Sequence, residues 1–181
     1  MSYDLDRFCQ DSRAALAAEP GRDGREKVRR NLERLLTDPD FLAAELGPDQ
    51  AVGRRTLYED PDMGFVVLAY VTDEGHKSPP HDHGTSWAIY GQATDYTDMT
   101  EFERLDGGAG VGAAKLAQTR HYRLDPGMAG LYDGAEIHAI DYPAGARFVR
   151  VTGADLDHVP RLRYDMDAGR AIVIESASAS D

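Results

Sequence analysis

The residues of this chain best suited to chemistry are histidines. His81-Asp82-His83 is entered through Gly75-His-Lys-Ser-Pro-Pro80. If that segment runs as a strand, the side chains at i and i+2 leave from one face, about 6.6 Å apart along the chain, while Asp82 points away. Two imidazoles so placed can converge on one ion, and a third must come from elsewhere. His138 is the best candidate, because it follows the Gly134-Ala-Glu-Ile turn at the start of a later strand; His121, in Arg120-His-Tyr-Arg123, is the alternative. Glycine entry, paired prolines, His-X-His and a later glycine turn before one more histidine together point to a metal site. Three imidazoles leave up to three positions open on a six-coordinate ion. They also leave its charge uncompensated, which favours an anionic thiolate or carboxylate as a further ligand. Iron(II) there suits oxygen chemistry, whereas zinc with a bound water suits hydrolysis.

The elements that must position these residues fall into two textures. Residues 1–47 read as helices. Leu5, Phe8, Cys9 and Leu16 share a face before Pro20-Gly21, and Val28, Leu32, Leu35 and Leu36 form a second stripe. Asp38-Pro39 then starts a short helix that stops at Gly47-Pro48. From residue 48 on, short runs rich in Val, Tyr, Phe and Ile alternate with Gly, Pro and Asp turns. Strands are expected at 52–58, 64–71, 81–92, 99–105, 118–124, 127–132, 137–142 and 147–152. Such spacing without helical spacers argues an antiparallel sandwich or barrel over 48–175. The tail 176–181, Ser-Ala-Ser-Ala-Ser-Asp, reads as disordered.

Composition narrows the partners. The chain has 181 residues, 32 acids against 20 bases, and a formal net charge of −12, a surface that repels phosphate backbones and anionic lipid. No nucleic acid and no membrane partner is expected; a small-molecule substrate is. The Arg-rich run 22–33 is interrupted by acids and reads as an exposed helix face. The lone Cys9 rules out an internal disulfide and every multi-cysteine zinc site, and fits a reducing, cytoplasmic setting. The acidic start Met-Ser-Tyr-Asp-Leu-Asp lacks the basic and apolar regions of a signal peptide.

The spacing resembles that of the cupin superfamily. Its first motif appears as Gly75, five residues, His81-Asp82-His83, with Trp87 and Ala88 where a glutamate usually stands. Its second appears as Gly127, five residues, Asp133-Gly134-Ala135, two residues, His138. The resemblance implies a double-stranded β-helix, a jelly-roll barrel, preceded by helices packed on it. Within that superfamily, Gly64–His83 is similar to the corresponding segment of cysteine dioxygenase and related thiol dioxygenases. That likeness implies Fe(II) on His81, His83 and His138, with Zn, Ni or Mn as alternatives, and O2 as co-substrate. It further implies that Arg55, at the matching distance before His81, binds a substrate carboxylate. Toward the C-terminus the likeness weakens. A Ser-X-His-X-Tyr run has as its nearest match Phe148-Val-Arg150-Val-Thr152, which keeps none of the three side chains, and Ala88 precludes a Cys–Tyr crosslink.

Alternation allows only one of Arg54 and Arg55 to point inward, and the spacing match favours Arg55. Arg150 is a second candidate, but Val149 and Val151 compete with it for the inner face. His76 reads as solvent-facing and His158 as structural. Trp87 reads as a packing residue; Tyr58, Tyr90 and Tyr142 as core or cavity lining; and Cys9 as a buried, inert thiol. The expected activity is oxidation of the thiol of a small carboxylate-bearing substrate to a sulfinate. A cupin isomerase or hydrolase, and a non-catalytic ligand-binding module, are the competing readings.

Overall fold

The computed structural model describes residues 3–174, so the tail expected at 176–181 lies outside the described residues. Helices α1 (Leu5–Ala18), α2 (Arg22–Leu35) and α3 (Pro39–Leu46) form where the periodicity placed them. The side chain of Asp4 accepts the Arg7 N–H, and that of Asp38 accepts those of Asp40 and Phe41, satisfying donors left open at two helix starts. Phe8, Cys9 and Leu16 of α1, and Val28, Leu32 and Leu35 of α2, are the buried stripes.

The strands are β1 (Gly53–Glu59), β2 (Val66–Val71), β3 (His76–Lys77), β4 (Ala88–Thr94), β5 (Thr97–Arg104) and β6 (Gly112–Ala113), then β7 (Leu116–Leu124), β8 (Ala129–Tyr132), β9 (Ile137–Tyr142), β10 (Arg147–Thr152), β11 (Arg161–Asp165) and β12 (Arg170–Ile174). One antiparallel sheet has the order β1-β2-β10-β4-β8 and a second the order β3-β9-β5-β7. Chain-distant strands are neighbours in both, as in a jelly roll, and together the sheets make the double-stranded β-helix. Val66, Leu68, Tyr70, Tyr90, Tyr132 and Phe148 of the first sheet meet Met99, Leu124 and Ile140 of the second in the barrel interior. The other face of the first sheet, with Val67, Ala69, Ile89, Val149 and Val151, is covered by the three helices. Apart from the exposed edge strand β1, that sheet is therefore buried on both faces.

Two stretches differ from the sequence expectation. The strand expected over 81–92 begins only at Ala88; the segment before it is a loop with two isolated bridges at His81, to His138 of β9 and Arg163 of β11. The reason is Asp82, whose carboxylate accepts the N–H groups of Gly84 and Leu162 and the Tyr164 hydroxyl, turning the chain locally. The hairpin β11–β12, joined to β6 in a small third sheet, went unread because its mixed charged and apolar residues give no clean alternation.

Leu32 is fully buried under the first sheet. Leu32→Ala is expected to cost about 2–5 kcal/mol through lost burial and a residual cavity, read by chemical denaturation. The same truncation at exposed Val52 should change stability by less than about 0.5 kcal/mol.

Candidate metal centre

His81 and His138 are brought together by their backbones. The His81 N–H donates to the His138 carbonyl at 2.9 Å, and the His138 N–H donates back at 3.0 Å. Two residues that exchange both bonds in an antiparallel pair put their side chains on the same face, here the barrel interior. On the other side of residues 80–82, the Tyr164 N–H donates to Pro80 O and the Asp82 N–H to Leu162 O, so β11 backs the loop. The His83 N–H donates to Gly134 O at 3.0 Å, which ties the third histidine to the turn preceding β9. Gly84 follows with φ +60°, and a Cβ there would meet Pro160 O at 2.1 Å; only glycine fits.

The three imidazoles converge. One ring nitrogen from each of His81, His83 and His138 lies within 4.8 Å of the others, and all three residues are buried. Ring centroids are 4.6 Å apart for His81–His138, 4.8 Å for His83–His138 and 5.7 Å for His81–His83. His81 Nδ1 lies 3.1 Å from Pro79 O and His138 Nδ1 lies 3.4 Å from Glu136 O, the carbonyl contacts that orient ligating histidines. His83 Nε2 faces the Tyr90 hydroxyl at 3.3 Å. Among the described residues, His138 Nε2 and His83 Nδ1 have no hydrogen-bond partner, a costly condition for buried polar atoms that an ion would relieve. The donor set therefore fits a divalent ion.

Burial first, then neighbouring His138 and His81, and then Arg150 and Arg161 push the His83 pKa well below its ordinary value. Burial and then His81 do the same for His138, with a smaller push from Arg150. Both imidazoles are held neutral, the form that binds metal.

The structure corrects the arginine assignment. β1 pairs Arg54 with Tyr70 and Arg55 with Ala69; Tyr70 belongs to the barrel interior and Ala69 to the helix-covered face. Arg55 is exposed, bonded to Gln50 and to Glu45 at 2.7 Å, away from the histidines. Alternation gave no means of choosing, because both faces of the partner strand are apolar. Arg54 takes the inner side, with Asp157 gripped through both guanidinium nitrogens at 3.1 and 2.8 Å.

The residue that alternation undervalued is Arg150. It pairs with Leu68 and Tyr90, both interior, while Val149 and Val151 face the helices. Arg150 is only 2% exposed, sits 5.1 Å from the Tyr70 ring centroid, and interacts with the Tyr90 hydroxyl. A small cavity of about 80 Å³ ends at it, lined also by Arg54, Thr56, Leu68, Thr152 and Asp157. Its signal in the sequence was a lone arginine inside a Phe-Val-X-Val-Thr strand. On another side, Tyr132 stacks on His138 at 4.0 Å and bonds the Tyr122 hydroxyl. The two tyrosines line a wider groove of about 650 Å³ between α2 and the barrel, to which His138 does not contribute.

The other histidines are elsewhere. His121 is exposed and bonded to Thr100, so it is no third ligand. His158 is exposed beside Asp155. His76 is half-buried with its ring 5.6 Å from Tyr142, not solvent-facing as expected, because β3 pairs it with that residue. Trp87 and Cys9 are packed in the helix-side core, as read.

No protein-family model matches the chain, and no curated protein does. Similar solved structures include KdgF from Halomonas sp., at 16% identity and TM-score 0.40, covering 55% of this chain and 74% of that one. A cupin superfamily protein from Desulfitobacterium hafniense DCB-2 has 13% identity and TM-score 0.42, covering 59% and 84%. A conserved protein with a double-stranded β-helix domain from Klebsiella pneumoniae has 15% identity and TM-score 0.39, covering 61% and 80%. The fold assignment rests on the strand order, and the site on its own geometry. No helix among the described residues is long and apolar enough to cross a membrane.

Two outcomes are expected. His81→Ala and His138→Ala each abolish stoichiometric uptake of Co2+ or Fe2+ by elemental analysis, with the far-UV spectrum retained. The second concerns pH. His83 and His138 have folded pKa values below the unfolded value of about 6.5, so below that pH the unfolded chain binds more protons. The stabilisation is intact above about pH 6.5 and is lost as pH falls. The metal-free melting temperature should decline between about pH 6.5 and 5, and His83→Gln with His138→Gln should flatten that decline.

Proposed function

We propose that this protein is a metal-dependent thiol dioxygenase that converts the thiol of a small carboxylate-bearing substrate to a sulfinate, with both atoms of O2 entering the product. The observation that carries the reading is a set of three converging, buried histidines with a buried arginine, Arg150, beside it. His81, His83 and His138 would hold the ion; Fe(II) is favoured, with Zn, Ni or Mn as alternatives. Held there, iron(II) would supply the oxygen chemistry and a site for the substrate thiolate.

The chain's own groups do the rest. The Arg150 guanidinium is planar and permanently charged, and can take a carboxylate through two parallel hydrogen bonds. It replaces Arg55 in the role that the family likeness implied. Tyr90 lies between Arg150 and His83, where its hydroxyl can hold a proton and orient the substrate. Leu68, Tyr70 and Phe148 keep the interior dry, which strengthens every charge interaction inside it. With neutral ligands around a divalent ion and a cation nearby, the site selects a substrate bringing negative charge at two points, thiolate and carboxylate.

One observation favours a second reading. The inner face of β10 carries Phe148, Arg150 and Thr152 where thiol dioxygenases have Ser, His and Tyr. A cupin isomerase or hydrolase using zinc, nickel or manganese on a small acid would use the same triad and Arg150 without O2.

Oxygen-electrode measurements on iron-loaded protein with small thiols, with and without a carboxylate, separate the two. The first reading expects O2 uptake and a product heavier by two oxygen atoms; no uptake with any thiol overturns it. Arg150→Met should raise KM by about 10–100-fold, the loss of a charged hydrogen bond. Arg55→Ala should leave KM within about twofold, because its guanidinium is spent on Glu45 and Gln50.

A further inference from the structure

The turn Asp133-Gly134-Ala135-Glu136 serves two of the three histidines at once. Gly134 O accepts the His83 N–H at 3.0 Å, and Glu136 O faces His138 Nδ1 at 3.4 Å. The turn closes on itself, with the Asp133 N–H donating to the Glu136 carboxylate at 2.8 Å and the Glu136 N–H to Asp133 O at 2.9 Å. On one side it abuts the loop after His83 so closely that a Cβ on Gly134 would meet Gly84 O at 2.2 Å and Ser86 O at 2.6 Å. On the other side stands the start of α2. Arg25 Nη1 reaches Asp133 Oδ1 at 2.5 Å, while Arg22 Nη1 reaches Asp133 Oδ2 at 2.6 Å and Glu136 Oε1 at 2.8 Å. Both oxygens of Asp133 are thus held by arginines more than 100 residues away in sequence.

We propose that Arg22 and Arg25 are positioning residues for the metal centre, pressing the 133–136 turn against the loop after His83 and so setting the placement of His83 and His138. The inference rests on the triad being a metal site. It gives the helical segment a role in the site beyond covering the sheet. A purely structural ion pair would tie α2 to the barrel and stabilise the protein without touching ligand geometry. A clamp on the turn changes metal affinity and the ligand field as well.

The test is Co2+ binding, by competition with a chromogenic chelator and by the visible absorption of the bound ion. Wild type, Arg25→Gln, Arg22→Ala/Arg25→Ala and the charge swap Arg25→Asp/Asp133→Arg are compared, with melting curves of the metal-free proteins alongside. The double variant is expected to bind Co2+ about 10–100-fold more weakly, the range seen when groups supporting metal ligands are removed, and with altered absorption bands. Arg25→Gln should lie between, and the swap should recover most of the affinity. Equal affinity and an unchanged spectrum in the folded double variant, or in Arg25→Gln should the double variant not fold, would overturn the clamp while leaving the metal site standing. Wild type that binds no Co2+, Zn2+ or Fe2+ would instead overturn the metal reading beneath it.

Discussion

The site depends on one backbone contact, the pair of hydrogen bonds exchanged between His81 and His138. These residues are 57 positions apart; the Pro79 and Glu136 carbonyls orient the rings locally, but only this pairing brings them together. The narrow antiparallel pair puts both side chains on the inner face. A slip of one residue would turn one imidazole outward and end the convergence. The surrounding devices protect that register. Paired prolines lead into His81, the Asp82 carboxylate ties the loop to β11 through two hydrogen bonds, and β9 is held on its other side by β5. The small β11–β12 hairpin is therefore part of the site's foundation.

Electrostatics gives the cavity its character. The buried imidazoles of His83 and His138 stay neutral, and a fully buried guanidinium adds a fixed positive charge beside them. A divalent ion would raise the positive charge further, although the protein as a whole carries a net charge of −12. The bulk charge and the charge around Arg150 thus have opposite signs. Asp157, held by Arg54, stands at the edge of the small cavity that Arg150 lines.

Burial of the first sheet on both faces accounts for what the sequence concealed. Where a sheet has one wet face, alternation tells inside from outside; β2 and β10 have none. Val149 and Val151 looked like inner residues because they are the apolar ones, but their core lies under the helices. Arg150, the polar member, faces the barrel interior that holds the histidines. The same ambiguity sent Arg55 inward in prospect and Arg54 inward in fact.

The helical start, the antiparallel barrel and the three histidines were legible in the sequence, because each rests on local signals: apolar periodicity, capping and turn chemistry, and the spacing of His81-X-His83 after two prolines. The loop conformation of residues 81–87, the supporting hairpin, the choice of Arg150 and Arg54 over Arg55, and the grip of α2 on the 133–136 turn were decided only in three dimensions. Each of these depends on which distant strand or helix lies across a given residue. Register and face in a sheet buried on both sides are set by packing between layers, and a single strand carries no record of it.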